Sequence, residues 1–149
     1  MRTASSRNSY VHFTSISTRW MDNDVYGHVN NVVYYSFFDT AVNEHLIMAG
    51  CLNTTDSPVI GLVVETSCQY FKPISFPAAV HAGLRVAKLG TSSVRYEIGL
   101  FLDGDDSAAA EGHFVHVYVD RATNKPVPVP DKFRLALSAL MPASPGAGS

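Results

Sequence analysis

Residues 19–39 read RWMDNDVYGHVNNVVYYSFFD, which places a cluster of short polar side chains directly before an aromatic run. Charged residues make up only 16% of the 149-residue chain, against a typical fraction of about 25%, so this density of polar groups needs an explanation. From about residue 31 to residue 49, apolar residues recur at spacings of three and four, which predicts a helix. Asn30 or Asn31 supplies its N-cap and Gly50 its C-terminal stop.

The predicted helix carries apolar side chains on most of its surface, which is typical of a buried helix. One stripe consists of Tyr34, Phe38, Ala41, His45 and Met48, and the remaining surface is largely filled by Phe37, Val42, Leu46 and Ile47.

Five runs rich in β-branched and aromatic residues predict strands. They cover residues 10–20, 59–71, 78–88, 93–102 and 108–120, with turn signals between the last four, and a short final helix begins near Asp131. In the run 93–102, Val94, Tyr96, Ile98, Leu100 and Leu102 share one face, and Arg95, Glu97, Gly99 and Phe101 share the other. This order predicts an α+β domain, an antiparallel sheet of about five strands wrapped around one long helix, with one sheet face on the core.

The composition predicts one domain over residues 9–141, a flexible N-terminal tail over 1–8 and a disordered C-terminal tail over 142–149. Its low charge fraction favours an oligomer, and the net charge of -2 with no basic patch predicts no nucleic-acid partner. The two cysteines fit neither a metal spacing nor a disulfide framework. Because no secretory signal and no membrane-length apolar run is found, a cytoplasmic location without a membrane partner is predicted.

Several common chemistries do not fit the polar cluster. Asp22, Asp24 and Gly27 occupy positions 1, 3 and 6 of a calcium loop, but positions 5 and 12 carry tyrosine and valine instead of ligands. His113 and His116 are three apart on a predicted strand and therefore face opposite sides of it, which disfavours zinc. Neither a GxSxG nor a GxGxxG motif nor a P-loop occurs, so no metal and no cofactor is predicted.

Two interpretations of the cluster remain. Asp and Asn commonly bond backbone amides at turns and helix starts, but such capping explains only one or two of these residues. A carboxylate such as Asp24 beside a helix start is also a catalytic arrangement, because the free N–H groups hold a carbonyl oxygen that the carboxylate, or a water it activates, attacks. Hydrolysis of an activated acyl group, best a thioester, fits this chemistry.

The motif R-W-x-D-x-D-x-x-G-H-V-N-N-x-x-Y resembles the hotdog-fold acyl-CoA thioesterases of the 4-hydroxybenzoyl-CoA thioesterase type. The resemblance spans about residues 9–135, with further similarity in QYFKPISFPAAV (69–80), KLGTSSVRYEI (88–98) and VHVYVDRATNKPVPVP (115–130). It implies a hotdog fold and Asp24 as the catalytic nucleophile or general base. It also implies that the backbone N–H of Asn31 binds the thioester oxygen, with Gly27 allowing the turn. We infer that His28 and Asn30 hold the loop and orient water.

The same resemblance implies a coenzyme A site formed by Lys88, Gly90, Thr91, Ser92 and Ser93, with Lys72 as a further candidate. Tyr34, Tyr35 and Phe38 are candidates for the acyl pocket. The family assembles as homodimers or homotetramers with active sites between subunits. The chain departs from the family pattern at Ala79 and Lys125, which leaves the substrate open. Two alternatives stay open, namely an acyl-CoA-binding module without turnover and an acyl-carrier-protein thioesterase, and the latter lacks the basic docking patch it needs.

Overall fold

A computed structural model of the chain describes residues 3–51 and 58–142. Its regular elements are β1 (His12–Ser17), α1 (Asn31–Met48), β2 (Val59–Tyr70), β3 (Ala79–Leu89), β4 (Ser93–Leu102), β5 (Ala110–Asp120) and α2 (Asp131–Ser138), with short 3-10 turns at Arg7–Ser9 and Trp20–Asp22. The tail residues 1–2 and 143–149, for which flexibility and disorder are predicted, lie outside the described ranges.

The described strands form one antiparallel sheet in the order β1-β3-β4-β5-β2. This confirms the predicted α+β architecture of five strands and one long helix. The first strand is shorter than the predicted run of 10–20. It ends at Ser17 because the chain then turns at Trp20–Asp22 to reach the start of α1.

The core lies between α1 and the inner face of the sheet. Alternate residues of β4 and β5 point inward, and α1 buries a matching stripe. The buried helical residues are Tyr34, Phe37, Phe38, Ala41, Val42 and Leu46. The predicted burial does not include Ile47 and Met48, which are 46% and 80% exposed.

The outer face of the sheet carries a small apolar cluster that the strand pattern does not predict. Phe101, assigned to the polar face of β4, is fully buried against Tyr10 and Ala108. Arg7 lies 5.0 Å from the centre of the Phe101 ring, and its Nη2 donates to the carbonyl oxygen of Leu102 at 2.8 Å. The segment before β1 therefore packs against the sheet at the residues described.

The strand β2 forms one edge of the sheet, and most of it is exposed. Leu62, Val63 and Val64 are 40%, 49% and 60% exposed, so on one side this long apolar strand has no neighbouring strand among the described residues. Such edges are normally covered or paired. Among the described residues, no helix is both long enough and apolar enough to cross a membrane.

Candidate active site

The loop between β1 and α1 is fixed by a buried carboxylate. Asp22 is 1% exposed, and its two oxygens accept hydrogen bonds from the Arg19 backbone N–H at 2.8 Å and from the Arg19 guanidinium at 2.8 and 3.1 Å. Burial alone would raise the pKa of Asp22, but the bonds and charge of Arg19 outweigh it and hold the pKa below its ordinary value. The Asp22 carbonyl also accepts the N–H of Asn30 at 2.8 Å, which ties this turn to the helix start.

Asp24 lies on a second turn, closed by a glycine. The Gly27 N–H donates to the Asp24 carbonyl at 3.1 Å, and the Asp24 N–H donates to the His28 carbonyl at 2.8 Å. Gly27 has φ +79°, and a Cβ there would meet no atom within 4 Å, so the turn requires glycine for its backbone conformation. Oδ1 of Asp24 accepts the Tyr26 N–H at 2.8 Å and the His28 N–H at 3.4 Å.

The start of α1 lies beside this turn. Asn30 is the N-cap, and its Oδ1 accepts the N–H of Val32 at 3.1 Å. The N–H of Asn31 is bonded to no acceptor among the described residues. It belongs to the first turn of an 18-residue helix, where free N–H groups carry a partial positive charge.

A cavity of about 370 Å³ brings these groups together. Its wall includes five predicted site residues, namely Asp24, His28, Asn31, Tyr34 and Lys72. The Nζ of Lys72 pairs with Oδ2 of Asp105 at 2.9 Å. The structure therefore unites the polar loop, the helix start and a cation from the segment after β2.

Tyr70 lines the same cavity and is missing from the predicted site. Its ring packs edge-on against Tyr34 at 4.9 Å, and its hydroxyl lies 3.4 Å from the carbonyl oxygen of Asn31. Burial and the neighbouring Cys68 thiol raise the pKa of Tyr70, so the hydroxyl stays protonated and acts as a donor. The stretch QYFKP contains this tyrosine, but only its proximity to α1 in the fold marks it as a site residue.

The other predicted acyl-pocket residues take different positions. Phe38 is fully buried, packs against Phe114 at 6.1 Å and contributes to the core, not to the wall of this cavity. Tyr35 is half-buried and packs edge-on against Phe38 at 6.0 Å. Only Tyr34 of the three lines the cavity beside Asp24.

Comparison with known proteins identifies the family. The thioesterase-like superfamily matches residues 18–137, which include every strand of the sheet except the first. The chain belongs to the thioesterase-like superfamily. Its fold is the hotdog fold, and this membership supports thioester hydrolysis as its chemistry. No curated protein matches the chain.

Three solved structures show how similar this thioesterase-like chain is to known proteins. The PA5185 protein from Pseudomonas aeruginosa is 56% identical over 94% of this chain and 98% of its own, with a TM-score of 0.92. The PA2801 protein from the same bacterium is 34% identical over 85% and 98%, with a TM-score of 0.80. A 1,4-dihydroxy-2-naphthoyl-CoA thioesterase from Synechocystis is 15% identical over 85% and 94%, with a TM-score of 0.77, and shares the fold.

The predicted coenzyme A residues of this thioesterase-like chain lie far from Asp24, except for Lys72, which lines the Asp24 cavity. Gly90 and Thr91 occupy the β3–β4 turn, whereas the loop carrying Asp24 borders the opposite end of β3, where Ala79 pairs with Ser17. The 11 residues of β3 span roughly 36 Å at about 3.3 Å per residue. The single chain therefore does not bring this turn and Asp24 together.

The β3–β4 turn borders a second open cavity with a cation that the sequence analysis did not select. Gly90 and Thr91 line it together with Arg134 from α2. The Nη2 of Arg134 donates to the carbonyl oxygens of Gly90 at 2.7 Å and Thr91 at 3.3 Å. Lys88 is exposed, and Ser92 and Ser93 are half-buried. Within the described ranges, no cluster of His, Cys, Asp and Glu is suited to hold a metal ion.

Proposed function

We propose that this chain hydrolyses an acyl-CoA thioester, with Asp24 as nucleophile or general base and the start of α1 as the oxyanion-binding element. The observation that carries the proposal is the presence of Asp24 and Asn31 on the wall of one cavity. A carboxylate can attack a thioester carbon or activate a water beside it. Membership of the thioesterase-like superfamily supports the choice of a thioester.

The hydrogen bonds of the loop favour this role for Asp24. Oδ1 accepts the backbone N–H groups of Tyr26 and His28, which fixes the plane of the carboxylate. Oδ2 has no hydrogen bond to any described residue and is the oxygen left for chemistry. Replacing Asp24 by Asn keeps an oxygen for the two backbone donors and removes the charge, so the variant separates catalysis from turn formation.

The helix start supplies the complementary charge. As a thioester is attacked, negative charge builds on its carbonyl oxygen, and preorganised donors stabilise it. The N–H of Asn31 meets this requirement, since it lacks an acceptor among the described residues and lies at the positive end of α1. The Tyr70 hydroxyl, bonded to the Asn31 carbonyl, helps to hold this first turn in place.

We further propose that two copies pair along β2, as a homodimer or within a homotetramer. The exposed apolar edge of β2 favours such pairing. Antiparallel pairing about the middle of this 12-residue strand places the Val59 end of one copy beside Tyr70 of the other. The β3–β4 turn lies at the Val59 end, since Ser92 accepts the N–H of Tyr118 there at 2.8 Å. The β3–β4 turn of one copy, which carries predicted coenzyme A residues, would thus approach Asp24 of its partner.

The test is free-thiol release from a panel of short, long and aromatic acyl-CoAs. Wild type is compared with Asp24→Asn and with Asp106→Asn, an exposed aspartate on the β4–β5 turn that serves as the matched control. We expect turnover on at least one substrate, a loss of 100-fold or more in Asp24→Asn, as is typical of a general base, and wild-type rates in the control.

Each other outcome has a distinct meaning. If folded wild type binds acyl-CoA but releases no thiol from any member of the panel, the chain is a binding module and the hydrolase proposal is wrong. If hydrolysis occurs only with acyl-carrier protein, the carrier has been misassigned. Equal rates in wild type and Asp24→Asn would remove Asp24 from the chemistry.

A further inference from the structure

A separate cavity of about 230 Å³ lies at the other end of α1. This partly open cavity is lined by residues from four elements and the turn after β5, namely Asn43, Leu46, Ile60, Gly61, His116, Tyr118, Arg121 and Phe133. Asn43 is 12 residues along the helix from Asn31, or roughly 18 Å at about 1.5 Å per residue. The cavity is therefore distinct from the one that contains Asp24.

His116 is an unexplained polar residue on the wall of this cavity. Its side chain faces the core, as the strand pattern predicts, and it is 4% exposed. Among the described residues, its Nε2 is the one enclosed side-chain nitrogen or oxygen without a hydrogen-bond partner. Burial lowers the pKa of His116 to about 4 in spite of the opposing charge of Asp39, so the imidazole is neutral at pH 7. An unpaired buried polar group costs stability and calls for a reason.

Gly61 lies beside Nδ1 of His116, the ring nitrogen other than the unpaired Nε2. A Cβ at Gly61 would lie 3.0 Å from Nδ1 of His116 and 3.3 Å from Cε1 of Tyr118, closer than most side-chain contacts. All three residues line the cavity. The missing side chain therefore opens space next to a ring nitrogen of His116.

We propose that this cavity binds a small apolar group that carries one neutral hydrogen-bonding substituent, such as a phenol, with the His116 imidazole as its hydrogen-bond partner. The volume is sufficient, since an apolar protein cavity of about 150 Å³ binds benzene. Leu46 and Phe133 supply apolar wall. A neutral imidazole offers one donor and one acceptor, which matches a hydroxyl group.

Asn43 provides a second polar contact on the helical wall. Its Nδ2 donates to the carbonyl oxygen of Asp39 at 3.0 Å and to Oδ1 of Asp39 at 2.9 Å, which orients the amide. In a pair joined along β2, this cavity lies on the side of the partner's Asp24 pocket, and its ligand would be the far end of the acyl group. That last identification rests on the proposed hydrolysis, whereas the binding of a phenol does not.

The experiment titrates phenol and toluene, two probes of nearly equal shape, into wild type, His116→Leu and His113→Leu. Binding is followed by calorimetry and by NMR shifts of the surrounding residues. His113 is the matched control, because it lies on the same strand but faces outward, where it bonds Glu65 at 2.6 Å and Ser67 at 2.9 Å. We expect the ratio of phenol to toluene affinity to fall about tenfold in His116→Leu, the value of one ordinary hydrogen bond, and to stay unchanged in the control.

The proposal fails if wild type binds neither probe saturably, or if His116→Leu keeps the wild-type preference for phenol. Gly61→Ala serves as a second variant, since it narrows the cavity without removing the imidazole and must weaken phenol binding. Should His116→Leu not fold, unweakened binding in Gly61→Ala would overturn the proposal by itself. Because neither probe is a thioester, these outcomes are independent of thiol release from acyl-CoA.

Discussion

The buried hydroxyl pair of Tyr96 and Tyr118 gives a sharp test of how the core of the sheet is stabilised. The two residues lie on the neighbouring strands β4 and β5, are 0% and 1% exposed, and have their hydroxyl oxygens 2.6 Å apart. Burial raises the pKa of Tyr118 to about 12 and that of Tyr96 well above its ordinary value. Both hydroxyls are therefore protonated at neutral pH, and each is the hydrogen-bond partner of the other.

The perturbation is a cycle of Tyr96→Phe, Tyr118→Phe and the double variant. Tyr118→Phe leaves the Tyr96 hydroxyl buried without a partner, which should reduce the free energy of unfolding by about 2 kcal/mol. Tyr96→Phe should cost about 2 kcal/mol as well, because it leaves the Tyr118 hydroxyl buried without its partner. The double variant loses only the net value of one hydrogen bond, about 1 kcal/mol, so it should cost about 3 kcal/mol less than the sum of the single variants.

The assay is urea unfolding followed by circular dichroism, at one protein concentration because assembly would change the apparent stability. Tyr26→Phe is the control, since Tyr26 is 80% exposed and the substitution should change the free energy of unfolding by less than about 0.5 kcal/mol. Additivity of the two core substitutions within about 0.5 kcal/mol would show that the hydroxyls are not coupled and would refute the reasoning.

Substitutions at three further positions test the packing and the loop by urea unfolding. A Cβ in Gly112→Ala would overlap the Phe38 ring and the backbone of β2, so the variant should lose about 3 kcal/mol, and a loss under 1 kcal/mol would contradict the packing. Asp22→Asn should cost about 1–3 kcal/mol at pH 7 by weakening the bonds with Arg19. The pKa of Asp22 is lower in the folded state than in the unfolded state, so its charge stabilises the fold above about pH 4. The stability difference between wild type and Asp22→Asn should therefore be complete above that pH and vanish as the pH falls through the folded pKa. A difference that does not change with pH would show that the charge of Asp22 is not its cause. Asn30→Ala should cost about 1 kcal/mol and Asn30→Asp almost nothing, since Asp also caps a helix, and equal losses would rule out capping.

The sequence predicts the fold well because its strongest patterns are local. Alternation in β4 places Val94, Tyr96, Ile98 and Leu100 on one face, and all four are fully buried. The same alternation assigns Phe101 to the outer face of the sheet, which is correct. It also groups Phe101 with polar residues, whereas its side chain is fully buried in an apolar cluster. Two of the residues that pack on Phe101, Arg7 and Tyr10, come from the segment before β1, about 90 positions earlier, and no local period carries that information.

The candidate site likewise contains some residues that the sequence indicates and others that only the fold brings together. Asp24, His28 and Asn31 follow one another within eight residues, so a single motif indicates them. Tyr70 and Lys72 reach the same cavity from the end of β2, and only the fold places them there. The opposite orientations of His113 and His116 follow from the strand period, but the missing partner of His116 depends on packing among four separate elements.

The polar cluster before α1 can serve both as a set of caps and as a catalytic site, because the capping hydrogen bonds hold the loop in place and leave other polar groups of the cluster free. Asp22 and Asn30 are used by the loop and the helix cap, and Asn23 accepts the N–H of Phe76 at 3.0 Å through its side chain. After these bonds are counted, Oδ2 of Asp24 and the N–H of Asn31 are among the groups of the cluster that have no hydrogen bond to a described residue. These two groups belong to residues on the wall of the same cavity. Capping therefore accounts for the rigidity of the loop, and it leaves unused the carboxylate oxygen and the backbone N–H that the proposed thioester hydrolysis requires.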